Sequence, residues 1–162
     1  MQVEKWQREQ RAMAKTCGYV QTILGRRRQL PDAISSNRAA SGHALRAAIN
    51  TPIQGSAADV ATAAMLRISH DSTLRELGWR LLLQVHDEVI LEGPRETAEQ
   101  ARDIVIACMC SPFSGLLDQP LLVDLVVDSK YADTWYDAKV GRGGRAPGWL
   151  ETWSGLGAAP WV

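Results

Sequence analysis

Residues 79–92 read WRLLLQVHDEVILE and decide the fold. Two apolar runs, 81–85 and 89–91, are separated by the polar residues 86–88. Short continuous apolar runs are typical of buried strands, and three residues leave room only for a tight turn between them. The stretch therefore predicts an antiparallel hairpin of two buried strands with Asp87 at its turn.

Regular elements are also predicted on both sides of this hairpin. Good helix formers and apolar periodicity predict helices at residues 2–17, 37–50, 54–70, 97–110 and 131–138. Further strands are predicted at residues 121–127 and in a hairpin over residues 19–30. Pro52 is expected to end or kink the helix before it, because its ring clashes with the carbonyl of residue 48. The predicted fold class is α+β, with helices packed on a small antiparallel sheet.

The composition is that of a globular chain. Of the 162 residues, 46% are apolar and 22% are charged, which allows a core and excludes a disordered chain. No apolar run is long enough to cross a membrane, and no targeting segment is recognised at the N-terminus. The three cysteines, Cys17, Cys108 and Cys110, lack the spacing of metal ligands. They are expected to be buried, inert thiols of a reducing compartment.

The zero net charge hides an uneven distribution along the chain. Residues 1–55 hold nine Lys and Arg against three Asp and Glu, whereas residues 56–139 hold seven against fourteen. A basic first third favours contact with a polyanion such as nucleic acid. The acidic centre favours either a cation site or solvated faces, and scattered surface charge is the alternative for both regions.

The polar turn formed by His86, Asp87 and Glu88 is a candidate metal site. Two rigid strands would hold adjacent carboxylates together, and the repulsion between them favours a bound cation. Hard cations such as Mg²⁺ prefer oxygen ligands of this kind. One hairpin supplies too few ligands for a two-metal centre, so a further carboxylate from elsewhere is required. The alternative is an ordinary polar hairpin tip.

Six basic or amide side chains are candidates for nucleic-acid contact. They are Arg46, Asn50 and Gln54 on a predicted helix, and Arg26, Arg27 and Arg28 near the tip of the first predicted hairpin. A spacing of four residues places the first three on one helix face, where they can donate to bases, sugars and phosphates. A basic hairpin tip suits phosphate contact. The alternatives are a solvated helix face and a solubilising strand edge.

Residues 140–162 differ in composition from the rest of the chain. They begin with a linker-like run rich in Gly and Arg, and no apolar period unites Trp149, Trp153 and Trp161. The segment is predicted to be a disordered and dispensable tail.

Three stretches of the chain resemble motifs of the family A DNA polymerases. Residues 83–89, LQVHDEV, resemble the third polymerase motif, and residues 46–59, RAAINTPIQGSAAD, resemble the primer–template helix motif. Residues 18–32 are similar to the segment that follows the fingers. The stretches occur in the order of the family, and the likeness covers residues 1–139. Residues 76–94 look most similar to the plant and algal organellar branch.

The resemblance implies a fold, partners and residue roles. The chain would be the C-terminal part of a polymerase palm, acting on a DNA primer–template and, in the complete enzyme, on deoxynucleoside triphosphates, with no membrane. Asp87 would match the palm aspartate that helps to hold catalytic Mg²⁺ ions, Glu88 its acidic neighbour, and His86 a histidine beside the primer terminus. The three candidate residues of the predicted helix would match minor-groove contacts. The implied location is the plastid or the mitochondrion.

The likeness is only partial. The strand with the family's other essential aspartate, the fingers helix that grips the triphosphate and the exonuclease domain have no counterpart in this sequence. The two-metal site would be complete only with the missing upstream aspartate. We therefore expect residues 1–139 to be an incomplete palm domain that is inactive by itself. The alternatives are a non-catalytic DNA-binding module and a metal-dependent hydrolase, the latter disfavoured because no further carboxylate or His cluster accompanies Asp87 and Glu88.

Overall fold

The computed structural model of the chain describes residues 2–117, 121–140 and 149–152. It confirms the α+β class, with helices and two small antiparallel sheets. The α-helices are α1 (Gln2–Cys17), α2 (Arg38–His70), α3 (Ser72–Glu76), α4 (Ala98–Cys110) and α5 (Trp135–Val140). The strands are β1 (Tyr19–Gln21), β2 (Arg27–Gln29), β3 (Arg80–Val85), β4 (Glu88–Glu92), β5 (Ser129–Ala132) and β6 (Trp149–Thr152). None of the described helices is both long and apolar enough to span a membrane.

Contacts divide the chain into two compact units, Met1–Val60 and Ala61–Val162. The first unit contains α1, the β1–β2 hairpin and the beginning of α2. Its core consists mostly of small side chains, namely Ala14, Val20, Leu30, Ala33, Ala44 and Ala48. Alanines let backbones approach closely, so this unit packs a short hairpin against helices without large side chains between them. The predicted hairpin over residues 19–30 is confirmed, with Tyr19 opposite Gln29.

Helix α2 is continuous and contains Pro52, which corrects the prediction of two helices separated near that residue. A proline removes one backbone N–H and crowds the preceding turn. Here the turns on both sides are held by the β1–β2 hairpin: Arg28 Nη1 donates to Thr51 Oγ1 over 3.0 Å, and Arg26 Nη2 donates to the Gly55 carbonyl over 3.0 Å. These contacts hold the helix on both sides of Pro52, and they could not be seen in the local sequence.

The second unit contains a four-stranded antiparallel sheet with the order β3-β4-β6-β5. The inner strand β4 is buried through Val89, Ile90 and Leu91, as predicted from its apolar run. Strand β3 is different, because Leu82 and Leu83 are 43% and 42% exposed. This corrects the prediction of a second buried strand: β3 is the edge strand of the described sheet, so one side of it has no neighbouring strand there.

The strand predicted at residues 121–127 is not formed. Leu122, Val123 and Val126 are 102%, 69% and 65% exposed. Branched apolar residues favour a strand only where a neighbouring strand can bond their backbone, and none of the described strands pairs with this segment. The strand in this region is β5, which begins only at Ser129.

Strand β6 lies between β4 and β5, with Trp149 opposite both Glu92 and Ala132. A strand at residues 149–152 contradicts the expectation that residues 140–162 hold no regular element. Residues 141–148 and 153–162 lie outside the described residues.

The cysteines differ in exposure. Cys108 is buried in α4, whereas Cys17 and Cys110 are exposed, and all three are free thiols. The expectation of buried thiols is thus correct for Cys108 and wrong for the other two. Cys17 and Cys110 are the last residues of their helices, where the side chains reach solvent. Burial raises the pKa of the Cys108 thiol, and the nearby charge of Arg67 offsets only part of that rise.

Candidate functional site

The β3–β4 hairpin of the second unit carries the predicted acidic residues Asp87 and Glu88. Strands β3 and β4 are joined by His86 and Asp87 alone, with Val85 opposite Glu88. The predicted hairpin with Asp87 at its turn is therefore confirmed, and Asp87 is exposed. The side-chain amide of Gln84 donates to the carbonyl of His86 and braces the turn.

His86 has a φ of +55°, a left-handed conformation that is uncommon for residues other than glycine. Two-residue hairpin turns require such a positive φ at their first central position. The register also shifts between Leu81 and Leu83, which leaves Leu82 as an extra residue in β3. Such a bulge bends the strand and increases its twist. The turn and the bulge together fix the direction in which the hairpin presents its polar tip.

Glu88 begins β4 and faces a cation. Its Oε2 lies 3.8 Å from Nζ of Lys139, a residue of α5, and the two side chains are 28% and 60% exposed respectively. The Lys139 ammonium also lies 5.6 Å from the centre of the Trp135 ring. Solvent screens a pair this exposed, so its contribution to stability is small. Its local effect is to place a positive charge beside Glu88.

The hairpin offers the kind of ligand that Mg²⁺ prefers, but not enough of them. Asp87 and Glu88, which are consecutive in the chain, supply carboxylate oxygens. Among the described residues, however, no group of three or more His, Cys, Asp or Glu is arranged so that it could hold a metal ion. A Mg²⁺ ion would fit the chemistry of the pair and would need additional ligands.

In the first unit, the structure places Arg46, Asn50 and Gln54 on α2 with all three side chains exposed. Because α2 is continuous through Pro52, the spacing of four residues keeps them on one face of a single helix. Their amide and guanidinium groups are therefore available to a ligand lying along that face.

The three arginines of the hairpin have three different environments. Arg26 bonds to Asp59 through Nε at 3.1 Å and Nη2 at 2.8 Å. The guanidinium of Arg27 lies over the ring of Tyr19, 4.5 Å from its centre. Arg28 donates to Thr51, as described above.

An open cleft of about 400 Å³ lies beside these arginines. Four sequence-predicted residues line it together, although they come from the hairpin and the helix: Arg26, Arg27, Arg28 and Gln54. The structure thus brings part of the predicted helix face and part of the predicted basic hairpin to one surface.

Asp59, which lies on α2 and is 7% exposed, was not among the predicted site residues. Burial raises its pKa, but hydrogen bonding by Thr22 and Arg26, the charge of Arg26 and the backbone of Leu24 lower it by more, so that the pKa lies below its ordinary value. A lone acidic residue in a run of small and apolar side chains was the available signal. Lys139 was also missed, because nothing in the sequence links it to Glu88.

Comparisons with known proteins give one consistent result. Residues 1–137 match the family model described as DNA polymerase family A. The chain is 58% identical over 138 residues to DNA polymerase I B, chloroplastic/mitochondrial, of Arabidopsis thaliana. It is 56% identical over 138 residues to DNA polymerase I A, chloroplastic, of Oryza sativa subsp. japonica. Each of these matches covers 85% of this chain but only 13% of the relative.

A bacterial relative and a solved structure agree with this result. DNA polymerase I of Geobacillus stearothermophilus is 48% identical over 128 residues, which cover 78% of this chain and 14% of the relative. The solved structure is the POL domain of Pol1 from M. smegmatis in complex with DNA primer–template and dNTP. The match to it has a TM-score of 0.65 and 38% identity, and it covers 75% of this chain and 20% of that one.

Proposed function

This chain belongs to the family A DNA polymerases, and we propose that it contributes a primer–template helix and a carboxylate hairpin to template-directed DNA synthesis by a larger enzyme. The single observation that carries the proposal is the β3–β4 hairpin, which holds Asp87 exposed at a two-residue turn with Glu88 beside it. Since the chain spans 13–14% of the length of the polymerases quoted above, the activity belongs to a larger assembly.

Within that enzyme, Asp87 and Glu88 would hold Mg²⁺ together with an aspartate that lies outside this sequence. When bound, the metal stabilises the charge that develops on the transferring phosphoryl group. Asp87 contributes an exposed carboxylate at the turn, and Lys139 partly neutralises the charge of Glu88. His86 would lie beside the primer terminus.

The first unit would bind the DNA. Arg46, Asn50 and Gln54 would donate to the minor groove of the primer–template, while Arg27 and Arg28 would contact phosphates beside the cleft. Minor-groove edges distinguish few base pairs, and phosphate contacts carry no sequence information. Binding is therefore expected to be sensitive to salt and largely indifferent to sequence.

The proposed location is the plastid or the mitochondrion. The two plant relatives quoted above carry those locations in their names. The free thiols of this chain are compatible with a reducing compartment.

Primer extension with Mg²⁺ tests the proposal. The purified chain alone is expected to be inactive, because it lacks both a partner carboxylate and a cationic helix for the triphosphate. Loss of either lowers the rate about a thousandfold or more. Adding the upstream part of a plant organellar relative, expressed separately, should restore extension. The exposed edge of β3 leads us to expect low solubility for the chain alone and rescue by the same upstream part.

Two variants make the test specific. Asp87→Ala should abolish the restored extension, whereas Asp103→Ala, an exposed acid on α4, should leave it intact. Robust extension by the chain alone, abolished by Asp87→Ala, would contradict the prediction that the chain alone is inactive. Primer–template binding without any restored extension would instead favour a non-catalytic DNA-binding module.

A further inference from the structure

Arg26 stands apart from the other basic residues of the first unit because its charge is already paired. Its Nε and Nη2 donate to the same oxygen of Asp59, at 3.1 and 2.8 Å, and Nη2 also donates to the Gly55 carbonyl at 3.0 Å. The Asp59 side chain is 8% exposed, whereas that of Arg26 is 60% exposed. The arginine thus lies over a buried carboxylate and closes it off from solvent.

Other bonds attach the same hairpin to the same helix. The backbone N–H of Ile23 donates to Ser56 Oγ at 2.9 Å, and Arg28 donates to Thr51 Oγ1 at 3.0 Å. The partners of the two arginines on α2 are Thr51, Gly55 and Asp59, which are spaced by four residues. One stripe of the helix therefore receives the whole hairpin.

The approach of the hairpin requires a glycine on the helix. A Cβ at Gly55 would lie 2.5 Å from the methyl carbon of Thr22, a distance that real Cβ atoms essentially never show. Thr22 also bonds within the hairpin, where its Oγ1 accepts from the backbone N–H of Arg26 at 3.2 Å. Thr22 thus contacts the helix with its methyl group and holds Arg26 with its hydroxyl.

Arg26 differs from Arg27 and Arg28 because its charge is paired with a buried carboxylate. A phosphate approaching Arg26 would compete with a carboxylate that cannot move into solvent without uncovering a buried charge. All three arginines line the cleft together with Gln54, but among the described residues only Arg26 forms an ion pair with a carboxylate. The net positive charge beside the cleft therefore belongs to Arg27 and Arg28.

We propose that Arg26 and Asp59 are a positioning pair: they fix the β1–β2 hairpin on α2 so that Arg27 and Arg28 face a DNA phosphate beside Gln54, and Arg26 is not itself a phosphate contact. The inference rests on the proposed DNA binding of this chain. Its energetic basis is preorganisation, because a hairpin already fixed in place loses little conformational freedom when DNA binds.

Asp59→Asn is the decisive variant. If Arg26 contacts phosphate directly, removing a nearby negative charge leaves DNA affinity unchanged or increases it. If the pair positions the hairpin, the same change weakens binding about tenfold, because the hairpin must then be ordered during binding. Affinity for a primer–template is measured by fluorescence anisotropy over a series of salt concentrations, with helix content checked by circular dichroism.

Three further variants complete the series. Arg26→Lys keeps the positive charge but not the paired geometry, so it should weaken binding to a similar degree without changing the salt slope. Arg27→Ala is the matched control and should reduce the salt slope by about one. The double variant Arg26→Lys with Asp59→Asn should bind no more weakly than either single variant, since one coupled pair is lost.

The outcomes separate the two proposals. Unchanged or tighter binding by Asp59→Asn, or full binding by Arg26→Lys, overturns the positioning role. If the unaltered chain does not bind the primer–template, the proposed DNA binding fails. Amide hydrogen exchange then tests whether the Arg26–Asp59 pair fixes the hairpin on α2. Faster exchange of the Ile23 N–H in Asp59→Asn, or in Arg26→Lys if the first variant does not fold, supports the fixed hairpin; unchanged exchange rejects it.

Discussion

The indole of Trp79 lies against the backbone of Gly93, so closely that a Cβ on Gly93 would be 2.3 Å from the ring atom Cδ2. The ring is held there, because Trp79 is 3% exposed and its Nε1 donates to Thr97 Oγ1 at 2.9 Å. Trp79 precedes β3 and Gly93 follows β4. The contact therefore closes the end of the hairpin opposite its acidic turn.

Gly93→Ala is accordingly expected to destabilise the second unit by about 2–3 kcal/mol, since either the ring or the backbone must shift in a packed site. Urea unfolding measures the loss. The control is Gly42→Ala in α2, where the nearest atom to the new methyl group is Arg46 Nη1 at an ordinary 3.6 Å. That change should stabilise the chain by about 0.5–1 kcal/mol. Equal changes in the free energy of unfolding for the two variants would contradict the close contact between Trp79 and Gly93.

Stability should depend on pH through Asp59. Its folded pKa is depressed by Thr22 and Arg26 despite burial, so the stability it contributes is present above the unfolded pKa of about 3.9. That contribution is lost as the pH falls toward the lower folded pKa. The unfolding free energies of the unaltered chain and Asp59→Asn should differ by about 1 kcal/mol at pH 7, because Arg26 is largely exposed. The difference should shrink below about pH 4, and a difference that grows on acidification would contradict the assigned ion pair.

The helix face of α2 should distinguish DNA structures. Replacing Arg46 and Gln54 together by Ala is expected to weaken binding to a primer–template about tenfold and binding to a plain duplex less, because their minor-groove contacts are proposed to be specific to the primer–template. Arg8→Ala removes an exposed charge from α1 and should affect both DNAs alike. Equal losses on the two DNAs for the double variant would reject the specific role of Arg46 and Gln54.

The thiols should react at two rates. Cys17 and Cys110 are exposed, whereas Cys108 is buried with a raised pKa. A maleimide at neutral pH should therefore modify the first two quickly, and Cys108 at least about a hundredfold more slowly, through opening of α4. Mass spectrometry of the digested protein resolves the three sites. Comparable rates at all three cysteines would show that Cys108 is not protected.

The features that the sequence predicts well depend on residues that are close together in the chain. The β3–β4 hairpin could be recognised because three polar residues, 86–88, separate two apolar runs, and the stripe of α2 follows from a spacing of four. Features that depend on distant partners were missed. The bonds from the β1–β2 hairpin to the helix on both sides of Pro52 are one example. The pair of Arg26 with Asp59 joins residues 33 positions apart.

The errors about strands have the same cause. An apolar run indicates that a segment can be buried, but a partner must be present to bury it. Strand β3 has such a run and lies at the edge of the described sheet, with Leu82 and Leu83 exposed. Residues 121–127 have another and form no strand. Both runs fit a chain that spans only a small part of its relatives.

The left-handed backbone of His86 gives the acidic turn a conformational cost of its own. A non-glycine residue in that conformation costs about 1–2 kcal/mol, so His86→Gly should make a more stable hairpin. A screen for thermal stability alone would therefore tend to replace this histidine, without testing what its imidazole does. Engineering of this turn should for that reason select on DNA binding as well as on folding.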